Sequence, residues 1–381
     1  MSCSIHRKHK RRSRILQIKN DREKEKKMRK IHMLATVAMS VFMMAGCAGP
    51  SGAAQPQAEP AQTSGTETGD STNAGAPEDK KVVLKLNHVQ SNTDPVQEAF
   101  LELADMVKER SGGSIEIQVY ANSELGSNKD NLEQVAGGAS IIAVGDTGFL
   151  ADYVPDIGIM NGPFLYGSYE DLLKLTDSQW YGQMEDACSE QGIKLLAMNW
   201  YFGERHIISK KPIHTPDDMK GLKVRVPSNT MWTATMESLG AAPTTIQWSE
   251  VYSALDQGVV DAAEAPLATI YTSKLQEAAK NIAMTGHFTG IIGLEMSQDV
   301  WDSMSAGQQA VMEECIKEVG ESYSNSVIAS EKDWRAKLEA EGVVFTDVDR
   351  EPFKEACASV YSKFPEWSEG LYETIEASMG R

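Results

Sequence analysis

From Lys81 onward the chain alternates between two hydrophobic periods. KVVLKLNHV (81–89) has the alternation of a strand, and PVQEAFLELADMVKERSGG (95–113) places Val96, Phe100, Leu103 and Val107 on one helical face. Proline in the first turn and Gly112–Gly113 at the end bound that helix. SIEIQVY (114–120) is again a strand, with Ile115, Ile117 and Val119 on one side. Strand, helix, strand in that order predicts a parallel pair with a right-handed crossover. NKDNLEQVAGGAS (128–140) followed by IIAVGD (141–146) repeats the scheme.

A second series begins at IKLLAMNWY (193–201). Thr215, Pro216, Asp217 and Asp218 read as a helix cap with proline and acids in the first turn, ended by Gly221. GLKVRVP follows: Leu222, Val224 and Val226 alternate with Lys223 and Arg225, and Pro227 stops the strand because proline cannot donate to a central ladder. Arg225 is therefore expected at the carboxyl end of a strand, either on a solvated face or as an anion clamp. SEVYSALDQGVVDAAEAP (249–266) predicts a helix with Val251, Ala254 and Leu255 inward, then a short strand at Val259–Val260. Beyond residue 299 the pattern is helical, with Val311, Cys315, Val319, Tyr323 and Val327 at helical spacing. There is no fixed-period repeat. The expected architecture is two α/β lobes and a helical C-terminal part.

Composition fits such a protein, with 41% hydrophobic and 24% charged residues in 381, long enough for two domains with cores. Charge is split unevenly. The net charge is −17, while residues 1–32 carry 13 Lys/Arg against 3 Asp/Glu, so the remainder is near −27. A body that acidic repels nucleic acid and anionic membrane surfaces, which argues against a nucleic-acid partner.

The basic start leads into MLATVAMSVFMMAG (33–46), an apolar run too short to span a bilayer but suited to a secretory signal. MMAGC resembles the bacterial lipoprotein cleavage signal, which makes Cys47 the expected lipidated N-terminus of the mature chain; a plain signal peptide with a chance cysteine is the alternative. Met44 stands where leucine is usual, and Met28 is a candidate for the true start. Residues 47–80, rich in Gly, Ala, Ser, Thr, Pro and Gln, have no aliphatic larger than alanine before Lys80 and read as a disordered tether. As a coil, such a stretch has an end-to-end distance of roughly 30 Å. Cys188, Cys315 and Cys357 remain for the body, an odd number that permits at most one disulfide.

GxSxG, HExxH, P-loop and GxGxxG patterns are absent, and His88, His206, His214 and His287 have no metal-ligand spacing, so neither cofactor nor metal is expected.

ELGSNKDNLEQV, NGPFLYGSYEDL, NWYFGERHI, KPIHTPDDMKGLKVRVP, LGAAPTTIQWSEVYSALDQGVVDAAEAPL and SKLQEAAKNI occur in this order. Over residues 81 to about 367 the chain thereby resembles the substrate-binding subunits of tripartite ATP-independent periplasmic (TRAP) transporters, of the dicarboxylate-binding type. The resemblance implies a two-lobed, type II periplasmic-binding-protein-like fold with a hinge and long C-terminal helices crossing both lobes. On that basis lobe I is expected to comprise 81–202 and 291–330, and lobe II 203–290 and 331–381. It further implies that Arg225 forms a paired salt bridge with a ligand carboxylate, a role suited to a planar fork that keeps its charge on burial. Arg205 and Trp248 are implied as a second anion contact and an apolar wall. His88, Ser127, Gly145, Asp146, Ser228 and Asn229 match pocket-lining positions. Ala265 stands where the family usually has an asparagine that bonds the carboxylate, which puts C4-dicarboxylate specificity in doubt.

The function so implied is a lipid-anchored, extracytoplasmic receptor that captures a small organic acid and delivers it to the membrane subunits of a TRAP permease. The alternatives are a ligand-presenting sensor for a signalling receptor and an exported enzyme on the same scaffold.

Overall fold

The computed structural model describes residues 80–381, so the leader, Cys47 and the tether lie outside the described residues. Nine strands form one continuous sheet: β1 (Val82–Asn87), β2 (Ile115–Tyr120), β3 (Ile141–Gly145), β4 (Ile193–Ser209), β5 (Lys223–Val226), β6 (Ala242–Thr245), β7 (Ala262–Ala265), β8 (Asn281–Ser297) and β9 (Val344–Thr346). Their order is β2-β1-β3-β8-β4-β7-β5-β6, with β9 on the flank of β8. β1 and β2 are parallel, as are β1 and β3, β5 and β6, and β5 and β7.

Two strands of 17 residues, β4 and β8, run antiparallel through the middle from Ile193↔Ser297 to Ser209↔Asn281. Their register shifts near Ala197, Gly203 and Arg205 bend the ladder at its centre. Helices pack on both faces of each half. On one half, one face holds Ala143, Leu172, Trp180 and Leu195 under helical cover and the other holds Leu84, Phe100, Ile142 and Trp200. On the other half, Val224, Val226, Trp232 and Phe353 pack on one face, and Val251, Ala263, Ile270 and Ile282 on the other. These are the two lobes of a type II fold.

The helices that matter for the site are α1 (Pro95–Arg110), α2 (Asn128–Ala136), α3 (Thr230–Ser238), α4 (Val251–Asp256), α5 (Leu267–Thr272) and α6 (Ala306–Ala340). α6 is 35 residues long, which at 1.5 Å per residue is about 50 Å. It starts at a capping box on Ser305 and Gln308, then packs Met312, Cys315 and Val319 into the first lobe and Leu338 into the second. Gly320 lets it ride directly over the Trp200 indole, because a Cβ there would overlap that ring. Among the described residues no helix is long and apolar enough to cross a membrane.

The strand expected at Val259–Val260 forms at Ala262–Ala265 instead. Gly258, at φ +75°, turns the chain, and the amides of Val259 and Val260 both bond the Ala254 carbonyl, which leaves Val259 half exposed. Small side chains fit between β4 and β5, so packing overrides the stronger strand propensity of valine. The C-terminal helix α7 (Leu371–Ser378) packs Leu371 and Ile375 beside Leu172 and Trp180 of the first lobe, although residues 331–381 were expected in lobe II. Cys188, Cys315 and Cys357 are buried free thiols in three separate clusters, so no disulfide joins them.

Two buried contacts tie the lobes together across the cleft. Asp94 caps α1 through the Val96 amide, and its other oxygen accepts the hydroxyls of Thr269 (3.0 Å) and Thr272 (3.2 Å) on α5. At 1% exposure, burial pushes the Asp94 carboxyl up to about 6 against the pull of these hydrogen bonds. On the other side, Asn229 caps α3 through the Met231 amide and donates to Asp146 at 3.3 Å. Its amide packs against Gly148, where a Cβ would overlap it.

Two expectations follow. A raised carboxyl binds protons more tightly in the native state, so its stabilisation is largest near pH 4 and fades as pH rises through about 6. Asp94→Asn removes this term: in urea unfolding at both pH values, wild type loses up to about 3 kcal/mol more than the variant between pH 4 and 7, and parallel behaviour of the two proteins contradicts it. Gly148→Ala holds the lobes apart, so small-angle scattering gives a larger radius of gyration at similar melting temperature. Adding Asn229→Gly restores the compact value; an unchanged radius in the single variant contradicts the contact.

Candidate functional site

A cavity opens between the lobes at the carboxyl ends of β3 and β5, where open α/β sheets present ligand sites. Of the residues singled out from sequence, Arg225, Arg205, Trp248, Ser127, Gly145, Asp146 and Ser228 line it. Arg225 ends up there because β5 is short and Pro227 turns the chain away immediately after Val226. Its guanidinium is 4% exposed and lies 5.2 Å from the centre of the Trp248 ring. Nε donates to the Ile246 carbonyl at 2.8 Å, which aims the fork; neither Nη atom meets an acceptor among the described residues. Burial lowers Arg225 to about 10, with Glu264 opposing and Arg205 adding to the effect, so it stays charged at neutral pH.

Arg205, on β4, is paired within the chain. Nη2 donates to Glu264 Oε1 at 2.8 Å and to the Glu264 carbonyl at 3.2 Å, Nε donates to Oε2, and the indole of Trp232 lies 5.6 Å away. Glu264 is fully buried on β7. Burial opposes the Arg205 charge, but Glu264, with a smaller contribution from Asp146, outweighs it and raises the group. His287 Nε2 lies 3.9 Å from Glu264, yet burial holds that imidazole well below its ordinary range, leaving Arg205 as the cation on Glu264. Only Nη1 of Arg205 has no acceptor among the described residues.

Asp146 follows β3 and lines the cavity. Its Oδ1 accepts from the Gly148 amide (2.9 Å), Asn161 (2.6 Å) and Asn229 (3.3 Å), while Oδ2 meets no donor among the described residues. Burial raises this carboxyl against those bonds. Ser127 reaches the cavity, but its hydroxyl is engaged in the capping box with Asp130 at the start of α2. Gln90, Lys129, Phe149, Phe202, Trp232, Gln247 and Thr269 complete the wall without having been singled out from sequence. Lys129 is half exposed and paired with Asp152 at 2.8 Å. Lys129 lies inside the quoted LGSNKD stretch and Gln247 beside Trp248, so adjacency to known pocket positions was the available signal.

Three expected site residues do not line the cavity. His88 turns into the first lobe, bonded to Gln97 at 2.6 Å and packed 5.2 Å from Phe100, and its neighbours Val89 and Gln90 face the cavity instead. Asn229 is consumed by the helix cap and the lobe contact. Ala265 is paired with His206 on β4 and packed with Leu267 in the second lobe, where it offers no donor.

Glu204, His206 and Glu331 lie close enough together to hold a cation. However, His206 Nδ1 accepts the Gly286 amide, which puts the neutral-ring proton on Nε2, 3.9 Å from Glu331, and Glu204 is engaged by Arg350. This is an ion-pair network at the strand crossing.

The sialic acid-binding periplasmic protein SiaP of Vibrio cholerae is 30% identical over 262 residues, 69% of this chain and 82% of that protein. A TRAP periplasmic solute-binding protein from Fusobacterium nucleatum, solved with sn-glycerol-3-phosphate, superimposes with a TM-score of 0.77 at 34% identity, covering 78% of this chain and 97% of that one. Another from Ochrobactrum anthropi, solved with L-fuconate, gives 0.76 at 36% identity, covering 78% and 99%. Members of the family are solute-binding proteins, not enzymes. Residues 86–366 match the DctP family, and the chain therefore belongs to the bacterial extracellular solute-binding proteins, family 7.

Proposed function

We propose that the protein is a lipid-anchored receptor that captures a small organic acid outside the cytoplasmic membrane and hands it to the membrane subunits of a TRAP transporter. Arg225 is the clamp. The observation that carries this reading is a buried arginine on the wall of an interlobe cavity that is held through Nε alone, with neither Nη atom engaged among the described residues. A carboxylate matches that fork with two parallel charge-assisted hydrogen bonds, and Arg205, which lines the same cavity, is the proposed second contact through Nη1. Trp248 stacks against the guanidinium and walls the ligand, so the tryptophan serves both roles. Closure excludes water from the pair and strengthens it. The acids of related proteins, sialic acid for SiaP of Vibrio cholerae and L-fuconate for the Ochrobactrum anthropi protein, are consistent with this chemistry.

The anchor is proposed from MMAGC at residues 43–47, followed by a tether that lets the body reach a permease at the membrane. Lobes I and II are taken as 81–202 plus 291–330 and 203–290 plus 331–370, with the final helix assigned to lobe I by its packing.

Removing one partner of a buried ion pair costs about 3 to 5 kcal/mol. Arg225→Ala should therefore weaken binding of the protein's acid at least about a hundredfold by titration calorimetry. Arg225→Lys should be nearly as damaging, since a point charge lacks the fork; near-normal affinity in either variant contradicts the clamp. In cells, Cys47→Ala should shift the protein from the detergent phase to the aqueous phase on Triton X-114 partitioning, and retention in the detergent phase contradicts the anchor.

A further inference from the structure

The charges around the cavity are unequal in availability. Lys129 is paired with Asp152 and Arg205 with the fully buried Glu264, so Arg225 is the cation of the wall without a carboxylate partner among the described residues. The remaining charged group facing the space is itself acidic: Asp146, with Oδ2 unpartnered among the described residues. Behind it the carboxyl of Glu295 lies buried, 3.6 Å from where a Cβ on Gly145 would sit, and its Oε1 has no partner either. Burial, reinforced by Asp146, raises Glu295 well above the ordinary carboxylate range. Other polar groups on the wall, among them Gln90, Asn128, Ser228, Gln247 and Thr269, are neutral and suit hydroxyl groups.

We infer that the site selects a singly charged, hydroxyl-rich monocarboxylate and rejects acids that carry a second anionic group. This rests on the reading of Arg225 as a carboxylate clamp. The single carboxylate occupies Arg225, with Arg205 Nη1 beside it. Asp146 Oδ2 accepts a hydroxyl of the ligand, a bond that only a donor can make. A second carboxylate or a phosphate in that position would set two acceptors against each other, and discrimination built on such a mismatch is stronger than discrimination by size. Glu264 contributes by spending the charge of Arg205 inside the protein, so that the second arginine orients the ligand without inviting a second anion.

Matched acids that differ only at one end provide the test: gluconate against glucarate and 6-phosphogluconate, and galactonate against galactarate, by titration calorimetry on wild type, Asp146→Asn and Arg225→Ala. The expected result is that the tighter-binding monocarboxylate exceeds its doubly charged partner at least about tenfold, and that Asp146→Asn narrows that gap while weakening the monocarboxylate. Wild type gives the ranking even if the Asp146 variant does not fold. A doubly charged acid binding as tightly as its partner, and lost in Arg225→Ala, overturns the selection against charge while the clamp survives. Tight glucarate binding that is lost in Lys129→Ala overturns it too, by placing the second anion on Lys129. Binding unaffected by Arg225→Ala counts against the clamp itself.

Discussion

Arg225 carries a positive charge into a buried position on the cavity wall where, among the described residues, no carboxylate pairs with it. Moving an ion out of water costs several kcal/mol unless a well-placed partner compensates. Arg205, close by and also largely buried, shows the structural solution: the full bidentate embrace of Glu264. Arg225 is instead supported by one carbonyl and one indole face, which aim it without discharging it. In the proposed reading, the pairing that Arg225 lacks among the described residues is supplied by a ligand entering the cleft.

The cleft depends on a scaffold that is continuous in some places and sparse in others. β4, β8 and α6 pass through both lobes, so the halves cannot separate, but the bends in the β4–β8 ladder near Gly203 and Arg205 give the crossing a place to flex. Contacts between the lobes include the hydroxyls of Thr269 and Thr272 on Asp94, the amide of Asn229 on Asp146, and the donation of the Tyr361 hydroxyl and the Trp367 indole to the carbonyls of Pro163 and Pro155. The first two use carboxylates whose ionised form is disfavoured by burial. Asp146 belongs to the cavity wall and to the lobe contact at once, so the proposed ligand contact and the lobe contact share one carboxylate.

Much of this was legible in sequence wherever the signal was local. The alternation of KVRV and the proline after it placed Arg225 at a strand end, and the apolar spacing of residues 96–107 and 311–323 located α1 and most of α6. Signals failed where distant residues decide. Glu264 lies 59 residues from Arg205 in an alanine-rich stretch that reads as apolar, and nothing local marks it as the partner. Gly148 requires its lack of a side chain because of Asn229, 81 positions away, a constraint visible only once the lobes face each other. His88 sits at the end of β1 beside true wall residues, but the bond to Gln97 turns its ring into the core. Valine propensity favoured 259–260 as strand, while packing between β4 and β5 chose the alanines.

The central claim, that an unpaired guanidinium awaits a carboxylate between the lobes, is tested most directly by a crystal structure of the protein with its bound acid. The account predicts a ligand carboxylate within about 3 Å of both Nη atoms of Arg225, with Nε still on the Ile246 carbonyl and Arg205 still on Glu264. A carboxylate held elsewhere, or an Arg225 side chain rotated out of the cavity to meet an acid of its own chain, would contradict it.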